Sequence, residues 1–159
     1  MKALHVEMRA PCRFCRSEWR SWLFAMHEAA FEAGMLPGQE HGPRAHEDTG
    51  GMRPEELSVR LIVASDGAIS AVNLRNLGCS GPTNILSFPE DEGGVGTLFL
   101  SADTLERECV LYGQEAAVHA VRLLAHGMGH ILGFDHGPEM DDFCGFLAAC
   151  ALGGDKTEA

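Results

Sequence analysis

Three histidines, His126, His130 and His136, stand four and six residues apart in the run His126-Gly127-Met128-Gly129-His130-Ile131-Leu132-Gly133-Phe134-Asp135-His136. Residues four apart share one face of a helix, about 6 Å apart at Cβ, so His126 and His130 can aim two imidazoles at one ion. Gly133 can take positive φ, end the helix and turn the chain back, which brings in His136 as a third ligand. Three neutral nitrogens with a fourth position left open describe a catalytic zinc site, one Zn2+ per chain, rather than a closed structural one. The H-E-x-x-H pattern of zincin metalloproteases follows its first histidine with a glutamate, the general base of peptide hydrolysis. This chain has Gly127 there, so a zincin-type protease would need a glutamate from elsewhere. A metal centre without that base suits a substrate whose own charge needs neutralising, and a phosphodiester is one. Asp135 is the nearest carboxylate; it can orient a ligand histidine, act on water, or be a solvated turn residue.

A helix over 114–132 must carry these side chains. At about 100° per residue, Ala117, Val118, Val121, Leu124, Ala125, Met128, Ile131 and Leu132 fall within an arc of about 140°, the core face. His126 and His130 fall on nearly the opposite side and face a cleft or water. His119 is on their stripe but ~10 Å from His126 along the axis, too far to share an ion, and reads as a surface histidine. Gly127 and Gly129 each cost the helix up to ~1 kcal/mol relative to Ala. Their placement beside two ligands predicts that something approaches the backbone closely.

Strands are expected over 3–8, 57–64, 83–88 and 96–100. Helices are expected over 18–33, capped by Ser17; over 68–76, after a turn at Asp66-Gly67; over 102–112, capped by Ser101; and over 138–152, opened by Pro138. The class is α+β: a small mixed β-sheet of about four strands packed with about five helices, with the zinc site in a cleft at the end of a central helix. Residues 1–159 read as one domain. Residues 37–56, rich in Gly, Pro and Glu, read as a flexible loop in which His41 and His46 are solvated; 153–159 read as a mobile tail.

The net charge of −11 argues against broad non-specific nucleic-acid binding. It is uneven: residues 1–20 hold five bases and two acids, the rest seven and 21. The basic start can meet phosphate or simply solvate a helix. No apolar run approaches the length of a membrane span, and the first residues lack a signal peptide's apolar stretch, so a cytoplasmic location with no membrane partner is expected. The six cysteines read as free thiols. Cys12 and Cys15 form a C-x-x-C, but no second pair and no βαβ pattern gives it a metal or redox context.

The run H-G-x-x-H-x-x-G-F-D-H resembles the YbeY family of bacterial endoribonucleases. Gly81-Pro82-Thr83-Asn84-Ile85-Leu86-Ser87-Phe88-Pro89 is similar to that family's P-T-D-V-L-S-F-P segment, Asn73 to the asparagine of its upstream L-N element, and Gly96 to Ser101 to its next strand and helix cap. Order and spacing agree over about 57–140. The resemblance implies a zinc-dependent endoribonuclease specific for single-stranded RNA, acting in 16S rRNA 3′-end maturation and ribosome quality control, with rRNA and the small subunit as partners and the metal on His126, His130 and His136. It also implies departures. Leu77 stands where the family has a cleft arginine, with Arg75 on nearly the opposite helix face; Asn84 and Thr97 stand for aspartates. Ser87 and Thr83 are candidate hydrogen-bond donors to RNA, and Phe88 and Phe134 candidate stacking residues, with strand capping and core packing as their other readings. Loss of the arginine leaves room for a non-catalytic, metal-containing ribosome-assembly factor. Oligomeric state is left open.

Overall fold

The computed structural model describes residues 4–36, 58–89 and 95–153. Nine elements run in the order β1 (Leu4–Met8), α1 (Arg16–Glu32), β2 (Ser58–Ala64), α2 (Asp66–Leu77), β3 (Ile85–Pro89), β4 (Val95–Ser101), α3 (Ala102–Tyr112), α4 (Ala116–Ile131) and α5 (Pro138–Ala151). The expected loop over 37–56, the start of the second strand at Leu57 and the expected tail beyond Gly153 lie outside the described residues. The class is α+β, as expected. The sheet order is β1-β2-β4-β3. β1 and β2, and β2 and β4, pair in parallel; β3 pairs antiparallel to β4, Ile85 opposite Leu100 and Ser87 opposite Leu98.

Strand alternation divides the sheet into two faces. Val59, Leu61, Val63, Ile85, Leu98 and Leu100 join the main core with Trp19, Leu23 and Met26 of α1, Leu124 and Met128 of α4, and Phe143 and Leu147 of α5. Phe14, Trp19 and Trp22 pack edge to face, with centroids 5.0–5.8 Å apart, the geometry that ring quadrupoles favour. The opposite face carries Arg60, Ile62, Phe88, Thr97 and Phe99, which with Arg9, Val72 and Arg75 line a groove beside α2.

Several boundaries move for identifiable reasons. α1 starts at Arg16, not after Ser17: Cys15 occupies the cap, and its backbone N–H donates to Glu18 Oε2 at 2.7 Å, so the glutamate three residues on fixes the start. α2 starts at Asp66 because Ser65 caps it, accepting from Ala68 N at 3.3 Å; the expected turn at Asp66-Gly67 is the first turn of that helix. β3 starts at Ile85 because Asn84 turns its side chain onto its own strand, Oδ1 accepting from Ile85 N at 2.7 Å. α4 starts at Ala116 because the Glu115 carboxylate takes the Ala117 and Val118 N–H groups at 3.1 and 2.9 Å.

Asp66 links the starts of α2 and α3. Its Oδ1 accepts from Ser101 Oγ and Thr104 Oγ1, each at 2.7 Å, and its Oδ2 pairs with Arg107 Nη1 at 2.6 Å. In return the Asp66 backbone N–H donates to Asp103 Oδ2 at 2.9 Å. The Arg107 guanidinium and these hydroxyls hold the Asp66 carboxyl down at about 2.

Candidate metal centre

α4 is a buried helix on more than one side. Its expected core residues Val121, Leu124, Ala125, Met128, Ile131 and Leu132 are buried; so are Ala116, Ala120, Leu123, Gly127 and Gly129, while Ala117 and Val118 are half-buried. The two glycines explain this. A Cβ on Gly127 would lie 2.8 Å from both Ile85 Cδ1 and Leu98 Cδ2 and 3.3 Å from Ser87 Oγ; one on Gly129 would lie 3.0 Å from Met140 Cε and 3.2 Å from Cys144 Sγ. β3 and β4 press on one side of the turn between His126 and His130, and α5 on the other. Ser87 donates its hydroxyl to the Gly127 carbonyl at 3.2 Å, and Cys144 its thiol to the Ala125 carbonyl at 3.4 Å.

α4 ends as the sequence predicts. Gly133 adopts φ 96°, and Gly133 N and Phe134 N return to the His130 and Gly129 carbonyls, each at 3.0 Å. Phe134 then stacks on Phe143 of α5, centroids 4.6 Å apart and planes 22° apart. That packing draws the chain across the helix end and delivers His136.

The three histidines converge. His130 Nε2 lies 3.2 Å from His126 Nε2 and 3.2 Å from His136 Nε2, and all three donor atoms lie within 4.8 Å of one another. Two nitrogens about 2.05 Å from a tetrahedral ion sit ~3.3 Å apart, so the two 3.2 Å separations match that spacing and the cluster could hold one metal ion. Among the described residues this is the one cluster of His, Cys, Asp or Glu with metal-binding geometry. His126 and His130 are half-buried and His136 is exposed. Burial first, then the neighbouring imidazoles, lowers the pKa of His126 and of His130, which favours the neutral ring a metal needs.

The other sequence candidates are placed as follows. Asp135 is exposed beside the site, and its charge acts on His130 against the lowering. Ser87 is spent on the Gly127 carbonyl. Phe134 is stacked on Phe143, and Phe88 meets Phe99 edge to face on the opposite side of the sheet, centroids 5.9 Å apart; neither ring is presented at the histidines. Thr83 is half-buried. Asn73 is buried and ties α2 to the 81–84 segment through the Gly81 carbonyl, at 3.1 Å. α2 runs on to Leu77, which is exposed, so Arg75 stays on its own helix face and lines the groove away from the histidines. Cys12 and Cys15 are free thiols.

His119 is not a plain surface histidine. Its Nε2 lies 2.7 Å from Glu108 Oε2, both side chains mostly covered, and Asn84 Nδ2 donates to the same carboxylate at 3.2 Å. Asn84, His119 and His126 line one cavity of about 490 Å³ together with Tyr112, Gln114 and Arg122. Sequence reading passed over Arg122, although it lies four residues before His126 and so on the ligand stripe. Glu108 offered no such signal, because its partner lies 11 residues on, across the bend at Gly113.

A family model described as Endoribonuclease YbeY matches residues 45–143. A protein of Nitratidesulfovibrio vulgaris named endoribonuclease YbeY is 46% identical over 111 residues, covering 56% of this chain and 68% of that protein. One of Oleidesulfovibrio alaskensis with the same name is 42% identical over 120 residues, covering 60% and 71%. The solution structure of TM1509 from Thermotoga maritima superposes with a TM-score of 0.63 at 16% identity, covering 96% of this chain and 90% of that one; it shares the fold. No described helix is long and apolar enough to cross a membrane. The histidine-bearing helix, the preceding β3 segment and these likenesses agree: the chain belongs to the endoribonuclease YbeY family of hydrolases.

Proposed function

We propose that residues 1–159 act as one zinc-dependent, single-strand-specific endoribonuclease domain, working in the cytoplasm on 16S rRNA 3′-end maturation and in ribosome quality control, with the small subunit as partner. The observation that carries this reading is the convergence of three imidazole Nε2 atoms in a chain whose relatives are named endoribonucleases. His126, His130 and His136 would hold the ion. Bound there, zinc supplies Lewis-acid chemistry to a phosphodiester. The chain's own part is to hold three imidazoles at fixed spacing, with burial favouring the neutral form of His126 and His130. A zincin-type protease is disfavoured by packing: position 127 points at Ile85 and Leu98, so the position where zincins carry their base faces the core here.

The test is cleavage of end-labelled single-stranded rRNA fragments by zinc-loaded protein. Cleavage is expected to vanish in His130→Ala and on chelation. Activity surviving both would overturn the metal-dependent mechanism. A zinc-loaded chain that leaves RNA intact would instead favour a non-catalytic assembly factor.

A further inference from the structure

The cavity beside His126 holds a charge that nothing on its walls balances. Arg122 is exposed and lies one helical turn before His126, with His130 one turn beyond, all on one stripe. Its Nη1 donates to Gln114 Oε1 at 2.9 Å, which orients the guanidinium without neutralising it. The nearby carboxylates are engaged: Glu108 by His119 and Asn84, Glu115 by the first N–H groups of α4. Among the described residues no acid pairs with Arg122. In a chain of net charge −11 this leaves an isolated cation in the cavity that His126 lines.

Tyr112 supplies a second element. It ends α3 with 63% of its surface exposed and lines the same cavity. A planar guanidinium matches phosphate oxygens in a bidentate way, and an exposed aromatic ring offers a face to any nucleobase without reading its sequence. The cavity, about 490 Å³, is within the range of small-molecule sites.

Resting on the RNA reading above, we propose that this cavity is a nucleotide subsite: it takes the residue of the RNA strand adjoining the one at the metal centre, with Arg122 on its phosphate and Tyr112 against its base. His119, held by Glu108, and His126 itself line this subsite. Because Arg122 and the first histidine share one helix, a strand running along α4 meets the cation about 6 Å along the axis before His126, close to the spacing of successive phosphates.

The first measurement is binding of a fluorescein-labelled single-stranded oligoribonucleotide to metal-free protein, by anisotropy across a salt series. Removing one phosphate contact from a single strand lowers the slope of log K against log salt by about 0.7. Arg122→Ala is expected to show that fall together with a roughly five-fold or larger loss of affinity, and Arg122→Lys to recover the slope. Tyr112→Ala is expected to lose about five-fold or more at unchanged slope, with Tyr112→Phe retaining affinity. Arg75→Ala on α2, which removes an equal exposed charge from the groove away from the histidines, is the control. In zinc-loaded protein, KM for the strand should rise in Arg122→Ala more than kcat falls. Unchanged slope and affinity in Arg122→Ala while the wild type cleaves RNA would overturn the subsite and leave the nuclease standing. A wild type that neither binds nor cleaves RNA removes both.

Discussion

Replacing Asp66 by Asn should cost stability in a way that disappears in acid. The carboxylate takes two hydroxyl hydrogen bonds and the Arg107 ion pair. Its fall from an ordinary 3.8 to about 2 corresponds to roughly 2.4 kcal/mol at 1.36 kcal/mol per pH unit. The Asp66 side chain is 27% exposed and that of Arg107 52%, so solvent screening reduces the expected contribution to about 1–2 kcal/mol. The sign follows from the direction of the shift. A carboxyl lowered in the folded state contributes fully above its unfolded value, and that contribution is lost as pH falls from 3.8 towards 2. Urea unfolding of both proteins, followed by the fluorescence of buried Trp19, measures the difference at each pH; comparing the two proteins cancels the other carboxyls. The gap should hold from neutral pH down to about 5, then narrow steadily through the window in which the group titrates. A gap that stayed constant to pH 3, or that was absent at pH 7, would refute the assignment of Asp66 as an ionised tie between the starts of α2 and α3.

The two glycines of α4 should differ. Gly127→Ala drives a methyl into Ile85 and Leu98; overpacking of about 1–3 kcal/mol outweighs the helix-propensity gain of up to ~1 kcal/mol, so a lower urea midpoint is expected. Gly129→Ala meets only the end of Met140 and the Cys144 thiol and should be near neutral in the same titration. Thiol labelling should separate the cysteines: exposed Cys15 and Cys79 should react fast in native protein at pH 8. Burial pushes the Cys144 thiol up to about 11, so it should react only on unfolding, as mass spectrometry of the labelled peptides would show.

The convergence of the three histidines was legible because its determinants are local. Four-residue spacing, one glycine able to take positive φ and a histidine three residues beyond lie within a single helix end, where periodicity decides geometry. The glycines were informative for the same reason: an unexplained propensity cost beside ligands marks a close neighbour, although only the fold shows that the neighbours are β3 and β4 on one side and α5 on the other. Helix starts were less legible where two residues compete for a cap, as Cys15 and Ser17 do, and Glu18 decided between them by its reach. The Glu108–His119–Asn84 cluster was illegible because its members come from α3, α4 and the segment before β3, and meet only once the chain bends at Gly113. Strand order was hidden too: β4 inserts between β2 and β3, a long-range pairing that no local pattern encodes. Strand alternation then puts the arginines of the α2 groove and the histidines of α4 on opposite faces of that sheet.

The turn of α4 between His126 and His130 is gripped on both sides by apolar side chains and hydrogen-bonded at Gly127 and Ala125. The core therefore fixes the stretch of backbone that carries His126 and His130. In a zinc finger the metal repays the ordering of the chain, and removing it unfolds the protein. Here core packing already orders the turn that carries two of the three histidines, so chelation is expected to leave the chain folded. The same grip limits change: a larger residue at 127 would displace the turn that carries His126 and His130, whereas the cavity around Tyr112 and Arg122 lies outside it. Evolution can retune what such a site accepts far more freely than it can move the atoms that would hold the ion.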